Sequence, residues 1–559
     1  MRRVLAGLFA LGAILSASLA QPAIADDRSP IFAAGGVMAG STNGMSFAPD
    51  GTLWVANVLG STITQIDPDS GEILSRLTAA DSVFFPDDVV VAPDGAMYWT
   101  DIGLGTVFKR FPGGPSFPLL AIPSGLNSAN PLVLTDDGRL FAAGCYGGDP
   151  LGNSMVEIDP VNGGIINTLF GPVPGCASNG MSSSNGSLYA PQPFSDQVLR
   201  VDPDTGATEP VTTGWPIPIG TAVDSSGSLY ALAQGVGEVV RIDLSNPDTA
   251  NNRTVIAEIP VGWADNIAIS GDDRIFISSA SDSTVAEVLA SGELRTVVPG
   301  QFELTNGVAV IDDTLYTGNL GGLWGWDLES RQQTSIWRAA FGLTPFPPTT
   351  SLVSWDEQLV LMSIISGQIV LWDPIANTAT AGALLSGPID ALPFDDGLLV
   401  TLATGEVLRL SRSLEVIEVV TTVPGAVGLA ADDDDVYVTD HDDGTVVRII
   451  EDGVVLDVQA TLASGLAGPE GLDVDDDIMY VVEAGAQSLT AIELKTGTRT
   501  TIASSLGFQF PSPLSSFGWL NDVTVAEDHV YVNADRSNVI YEFDTIDDDD
   551  HHDDDHHDD

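Results

Sequence analysis

Cysteine, histidine and positive charge are all scarce in this chain of 559 residues, with two cysteines, six histidines and 20 Lys and Arg residues in total. Two cysteines cannot build a disulfide-dense scaffold or a thiolate metal cluster. The few basic residues face 77 acidic ones, for a formal charge of -57. A field of that sign repels nucleic acid and anionic lipid surfaces and attracts cations. It also suits a salty medium, where screening shortens the reach of self-repulsion. Beyond the N-terminus no apolar run approaches the roughly 20 residues a membrane-spanning helix needs. No long segment carries a 3.6-residue apolar stripe either, which excludes a helical fold. The dinucleotide fingerprint, the Walker loop, His-Glu-X-X-His, Gly-X-Ser-X-Gly and Cys-X-X-Cys-His are absent, and with them the chemistries they serve.

What is present starts with an export signal. Met1-Arg2-Arg3, an apolar stretch from Val4 to Leu19 and the small-X-small sequence Ala23-Ile24-Ala25 have the order of a secretory signal peptide, so residues 1–25 are expected to be removed. A periplasmic or extracellular destination makes Cys145 and Cys176 a disulfide candidate. No basic residue lies near either one in sequence to activate a thiol. The far end differs in kind: residues 547–559 are all Asp or His and should be disordered. Its His551, His552, His556 and His557 are candidate weak metal ligands, since imidazole suits zinc, nickel or copper. A hydrophobic fraction of 44% argues that the rest is a folded protein.

One pattern organises that rest: a polar loop, a short apolar strand, an Asp-Gly turn, and a second strand rich in Tyr and Val. It reads Asn43-Gly44-Met45-Ser46-Phe47-Ala48-Pro49-Asp50-Gly51-Thr52-Leu53-Trp54 at its first appearance. It recurs from Asp88, Asn130, Asn179, Ile219, Asp265, Asn306, Thr350, Asp390, Val427, Glu470 and Asn521. The twelve anchors lie 37–51 residues apart, room for four short strands and their turns, which is one propeller blade. The Asp-Gly pairs supply the positive φ angles of tight hairpins.

Twelve blades exceed a single ring, so the expectation is an all-β protein of two tandem six-bladed β-propellers, spanning 26–290 and 291–546, with a split into five and seven blades as the alternative. Pro30–Ala34 would close the first ring and Leu294–Val298 the second, each serving as the outer strand of its ring's last blade and removing an exposed edge. The Asp432–Asp435 and Asp475–Asp477 clusters should sit at solvated hairpin turns on the rim opposite the anchors.

Asn43, Asp88, Asn130, Asn179 and Asp265 fall at equivalent positions before the inner strands of the first ring. Five oxygen-bearing side chains converging on one axis would suit a hard divalent cation, calcium before zinc. Each also has a local reading, because Asn and Asp readily bond their own backbone in turns.

The Asn-Gly and Asp-Gly-X-Leu-Tyr/Trp pattern resembles the SMP-30/gluconolactonase/LRE-like superfamily, and is similar to NHL-type and virginiamycin B lyase-like propellers. The gluconolactonase resemblance implies a divalent cation over the channel held by Glu470, in Gly468-Pro469-Glu470-Gly471, with Asn306 and Asn521 beside it. Asp390 or Asp522 would then accept a proton from bound water. The lyase resemblance implies a catalytic histidine, for which His441 is the candidate. Two functions follow. The first is an exported cation-binding protein acting in extracellular binding or surface contact, with a protein or glycan partner. Loops such as Gly214-Trp215-Pro216-Ile217-Pro218 and Pro345-Phe346-Pro347-Pro348 suit such recognition. The alternative is a metal-dependent hydrolase of small lactones or esters.

Overall fold

The computed structural model describes residues 31–546 apart from 36–39, 123, 125, 127, 146–152, 174, 301, 303–304, 320, 339–346 and 509–520. The expected signal peptide, the Asp/His tail, and Pro345 and Phe346 therefore lie outside the described residues. Among those residues the chain is nearly all β, arranged as twelve four-stranded antiparallel sheets. This is the sheet pattern of a propeller. No helix is long and apolar enough to cross a membrane among the described residues.

The sheets are numbered one to twelve by their first strands: Thr42–Phe47, Pro86–Val91, Ala129–Leu134, Ser182–Ser184, Pro218–Val223, Ile267–Ile269, Asn306–Ile311, Ser351–Trp355, Pro388–Phe394, Ala426–Asp432, Pro469–Asp475 and Val523–Ala526. Those first strands touch in two closed circuits. Sheet one meets two, and so on to six, which returns to one; sheets seven to twelve do the same. The chain divides into two compact units, one of residues 36–303 with 338–344 and the other of residues 304–337 and 345–559 with the N-terminal segment through 35.

Local chemistry explains the strands. In the first unit, hairpins turn on Gly51, Gly95 and Gly138 at φ of 87°, 81° and 85°, a region that glycine enters without steric cost. In the second unit the corresponding turns place Asp312, Asp356, Asp395, Asp433 and Asp476 at positive φ, which Asp tolerates better than most side chains. The Asp432–Asp435 and Asp475–Asp477 runs thus mark hairpins. Aliphatic and aromatic faces fill the space between neighbouring sheets. Ala56 and Ile63 of sheet one pack on Val89, Trp99 and Phe108 of sheet two, while Met45 and Val55 pack on Phe276 and Val285 of sheet six.

The closures differ from expectation. Leu294–Val298 pairs with Val285–Val288 and completes sheet six, so the first unit extends past residue 290. The four-residue turn through Gly292, held by Leu289–Glu293 and Gly292–Leu289 backbone bonds, makes this local pairing entropically cheap. Ile31–Ala34 instead pairs with Val539–Asp544 in sheet twelve. Its Phe32 is buried edge-on against Tyr531 at 5.5 Å and lies under the Arg331 guanidinium. The first unit, lacking an exchanged strand, is joined between sheets six and one by side chains. Thr42 Oγ1 donates to the Ser279 carbonyl (2.7 Å), and Arg274 Nη1 meets Asp69 Oδ1 (2.8 Å).

Cys145 and Cys176 form a disulfide across 31 residues, tying the third sheet to the fourth. The Trp215 loop is no recognition surface: Trp215 is buried, its Nε1 donates to Glu238 Oε2 (2.9 Å), and Arg253 covers the ring.

Candidate functional site

Hydroxyls of the second strands position the anchors. Thr100 Oγ1 donates to the Asn130 carbonyl (2.7 Å), Thr439 Oγ1 to that of Glu470 (2.7 Å), and Ser278 Oγ to that of Asn43 (2.6 Å). Each bond runs from one sheet to the next and holds the anchor's backbone at the start of its strand. The Thr after two apolar strand residues was the sequence signal for this stitch.

Two adjacent positions at these strand starts do different work. The second is structural. Asp88 accepts the Val89 N–H (2.9 Å) and, from the next sheet, the Leu132 N–H (2.9 Å). Asp390 accepts the Leu429 N–H (2.8 Å) in the same way, and Asp522 accepts those of Val523 (2.9 Å) and Val308. A glycine at the second position of the preceding sheet, as in Asn43-Gly44 and Glu470-Gly471, makes room for this arrangement. A Cβ on Gly44 would lie 2.1 Å from Asp88 Oδ1, and one on Gly471 would lie 2.2 Å from Asp522 Oδ1. Asp88, Asp390 and Asp522 are therefore cross-sheet staples, where the sequence pattern placed a metal ligand and two proton acceptors. The two Asp anchors 88 and 390 are one residue late in register, and a one-residue slip sends the side chain to the other face.

The first position gathers the candidate ligands. In the first unit it holds Asn43, Asp87, Asn130, Asn179, Ile219 and Asp265. Asn43 Nδ2 donates to Asp87 Oδ1 at 3.3 Å. Burial, then the Asp265, Asp88 and Asp101 carboxylates, push Asp87 well above the usual carboxylate range. Asp265 is pushed up to about 7, mainly by burial and then by Asp88. Three buried oxygens here find no hydrogen-bond donor among the described residues: Asn43 Oδ1, Asn130 Oδ1 and Asp265 Oδ2. Asn179 stands apart, because its Oδ1 takes the Gly180 N–H (2.8 Å), which is the local turn bond.

In the second unit Glu470, fully buried, accepts both the Asn521 N–H and its Nδ2 at Oε2 (2.8 Å each). Its Oε1 has no donor among the described residues. Asn521 Oδ1 in turn accepts the Asp535 N–H (2.9 Å). Burial, then the Asp535 carboxylate, push Glu470 well above its ordinary range. Asn306 is fully buried at the matching position of sheet seven.

Asp87 and Asp535 are the residues the sequence pattern missed. Pro86-Asp87-Asp88 aligns with Pro469-Glu470-Gly471, which puts Asp87 rather than Asp88 in register with Glu470. His441 follows the second strand of sheet ten, where its Nδ1 meets Asp442 Oδ1 at 3.2 Å.

Among the described residues no three His, Cys, Asp or Glu side chains gather as a metal site. The first-position set is instead mixed, with the carboxylates of Asp87 and Asp265 and, Asn179 apart, the amides of Asn43 and Asn130 in the first unit. Such oxygen donors fit calcium, whereas zinc prefers nitrogen or sulfur.

No protein-family model matches the chain, that of the gluconolactonase resemblance included, and no curated protein matches it. Among solved structures, a catalytically inactive virginiamycin B lyase from Staphylococcus aureus with quinupristin is 15% identical, covering 50% of this chain and 92% of its own at a TM-score of 0.37. The extracellular domain of a one-component system from B. thetaiotaomicron is 12% identical, covering 92% and 83% at 0.31. Likeness of this degree bears on no residue of this chain.

Proposed function

We propose that the protein is an exported pair of six-bladed β-propellers that binds divalent cations, calcium foremost, at the anchor end of each ring. The two closed circuits of first strands support the six-and-six reading, and the disulfide is compatible with export. The observation that carries the cation reading is the trio of donorless buried oxygens on Asn43, Asn130 and Asp265. A buried polar atom without a partner costs free energy that a bound cation offsets. In the first unit Asp87 and Asp265 are buried with these oxygens, Asp87 within 3.3 Å of Asn43, and in the second unit the buried Glu470 keeps one oxygen without a donor among the described residues. Bound cations in this reading stiffen a rim that meets an extracellular protein or glycan.

Calorimetric titration of chelator-treated protein tests this. The expected result is one calcium per ring, with Asp265→Asn removing the first and Glu470→Gln the second. A ligand at ~100 times its Kd adds about 2.7 kcal/mol to folding, a Tm rise of roughly 5–10 °C for units of this size. No calcium-dependent heat and no change in Tm would sink the reading.

The hydrolase reading rests on the unshared Glu470 oxygen. It predicts turnover of a small lactone that Glu470→Gln abolishes while calcium binding in the first unit persists. Asp390 and Asp522, held by backbone amides, lend it no support.

A further inference from the structure

The first unit has a second concavity, at the opposite ends of its first strands from the anchors. A pocket of about 600 Å³ is lined by Phe47, Ala48, Val91, Pro49, Pro68 and Pro93, with Ser270, Asp272 and Arg274 at one side. That volume lies within the range of small-molecule sites. The walls are apolar, and the three prolines come from three different turns, so the shape is preformed rather than assembled on binding.

The polar side decides what charge the pocket takes. Arg274 is spent: Nε and Nη2 donate to Glu287 (2.7 and 3.0 Å) and Nη1 to Asp69 (2.8 Å). Asp272 is exposed and, among the described residues, is bonded by the Ser270 hydroxyl of its own turn (2.5 Å) and by no cation. Arg295 reaches the same side through the Pro68 and Asp69 carbonyls (2.7 and 2.9 Å) and is held by Glu287 (2.7 Å), which leaves Asp272 as the lining charge without a counter-charge among the described residues.

We propose that this pocket binds a small amphiphilic cation, an apolar ring system bearing a protonated amine that meets Asp272. The ring system lies among Phe47, Ala48 and Val91. An anion of the same shape is rejected by the Asp272 carboxylate.

Gly271 provides a clean test. It lines the pocket, its φ is not positive, and a Cβ there would meet no atom within 4 Å, so Gly271→Trp adds bulk at the pocket without backbone strain. The full chain, saturated with calcium so that acidic sites elsewhere are satisfied, is titrated with naphthylmethylamine, naphthylmethanol and naphthoate under fluorescence detection. The expected order is amine, then alcohol about fivefold weaker, the size of an exposed ion pair, with naphthoate weakest. Gly271→Trp, folded by circular dichroism, should abolish saturable binding. Asp272→Lys, on an exposed turn, should reverse the preference between amine and naphthoate. No saturable amine binding, equal binding of naphthoate, or binding that survives Gly271→Trp overturns the proposal.

Discussion

At the scale of single residues, function and stability are separated by one position along each first strand. Asp390 and Glu470 are both buried acids with one donorless oxygen each among the described residues, but Asp390 Oδ2 ties down the Leu429 backbone of the next sheet, whereas Glu470 Oε2 is shared with the Asn521 amide at the neighbouring first position. Burial first, and the Asp473 carboxylate with it, push Asp390 up to about 7. The folded protein therefore holds a proton there that the unfolded chain has released above its ordinary value near 4. This contribution to stability is present below that value and lost as pH rises through about 7. Asp390→Asn keeps an oxygen for Leu429 and removes the titration. In chelator, the variant should match the parent near pH 4 and be the more stable of the two at pH 8, as urea denaturation at both pH values would show. Gly44→Ala has the opposite character. Its Cβ would lie 2.1 Å from Asp88 Oδ1 and 2.5 Å from Asp88 Cα, so it should destabilise the first unit by about 2–3 kcal/mol at any pH.

The elements close the two units by different means, and each means has its own signature. Deleting residues through Ala34 leaves Val539–Asp544 an open edge and strips Phe32 from Tyr531. Only the second unit should then lose protection in hydrogen exchange, and a peptide spanning residues 28–35 should restore it. Reduction of Cys145–Cys176 acts on the first unit alone. A loop of this length should cost about 3–4 kcal/mol by chain entropy, visible as a fall in that unit's unfolding midpoint. The cross-sheet hydroxyls belong to this scale too. Thr439→Val removes the donor to the Glu470 carbonyl and should cost about 1–2 kcal/mol while weakening calcium binding in the second unit and sparing the first.

For the whole molecule the dominant fact is a charge of -57. Much of it lies on exposed turns, where the second unit carries Asp312-Asp313, Asp356-Glu357, Asp395-Asp396, Asp433-Asp434 and Asp476-Asp477 at successive hairpins. Self-repulsion of this kind is long-ranged in dilute buffer and screened within about 3 Å at 1 M salt. The Tm of both units should therefore climb steadily between 0.1 and 1 M NaCl; a flat or falling trend would show that the surface acids are already compensated.

The repeat, and through it the sheets, follow from local residue chemistry. Asp-Gly and Asp-Asp turns set hairpin geometry locally, and alternating apolar residues demand a neighbouring sheet, so twelve units were legible without coordinates. The sequence also marked the disulfide pair and most of the buried oxygens at the strand starts. Which neighbour each strand chose, and which of two adjacent acids points where, is set by packing between segments distant in sequence. Ile31–Ala34 pairs with residues five hundred positions away because Phe32 fits against Tyr531 there, while a short turn keeps Leu294–Val298 at home. Asp87 rather than Asp88 joins Asn43 because a strand turns successive side chains to opposite faces, and the register that settles which is which comes from packing against the next sheet.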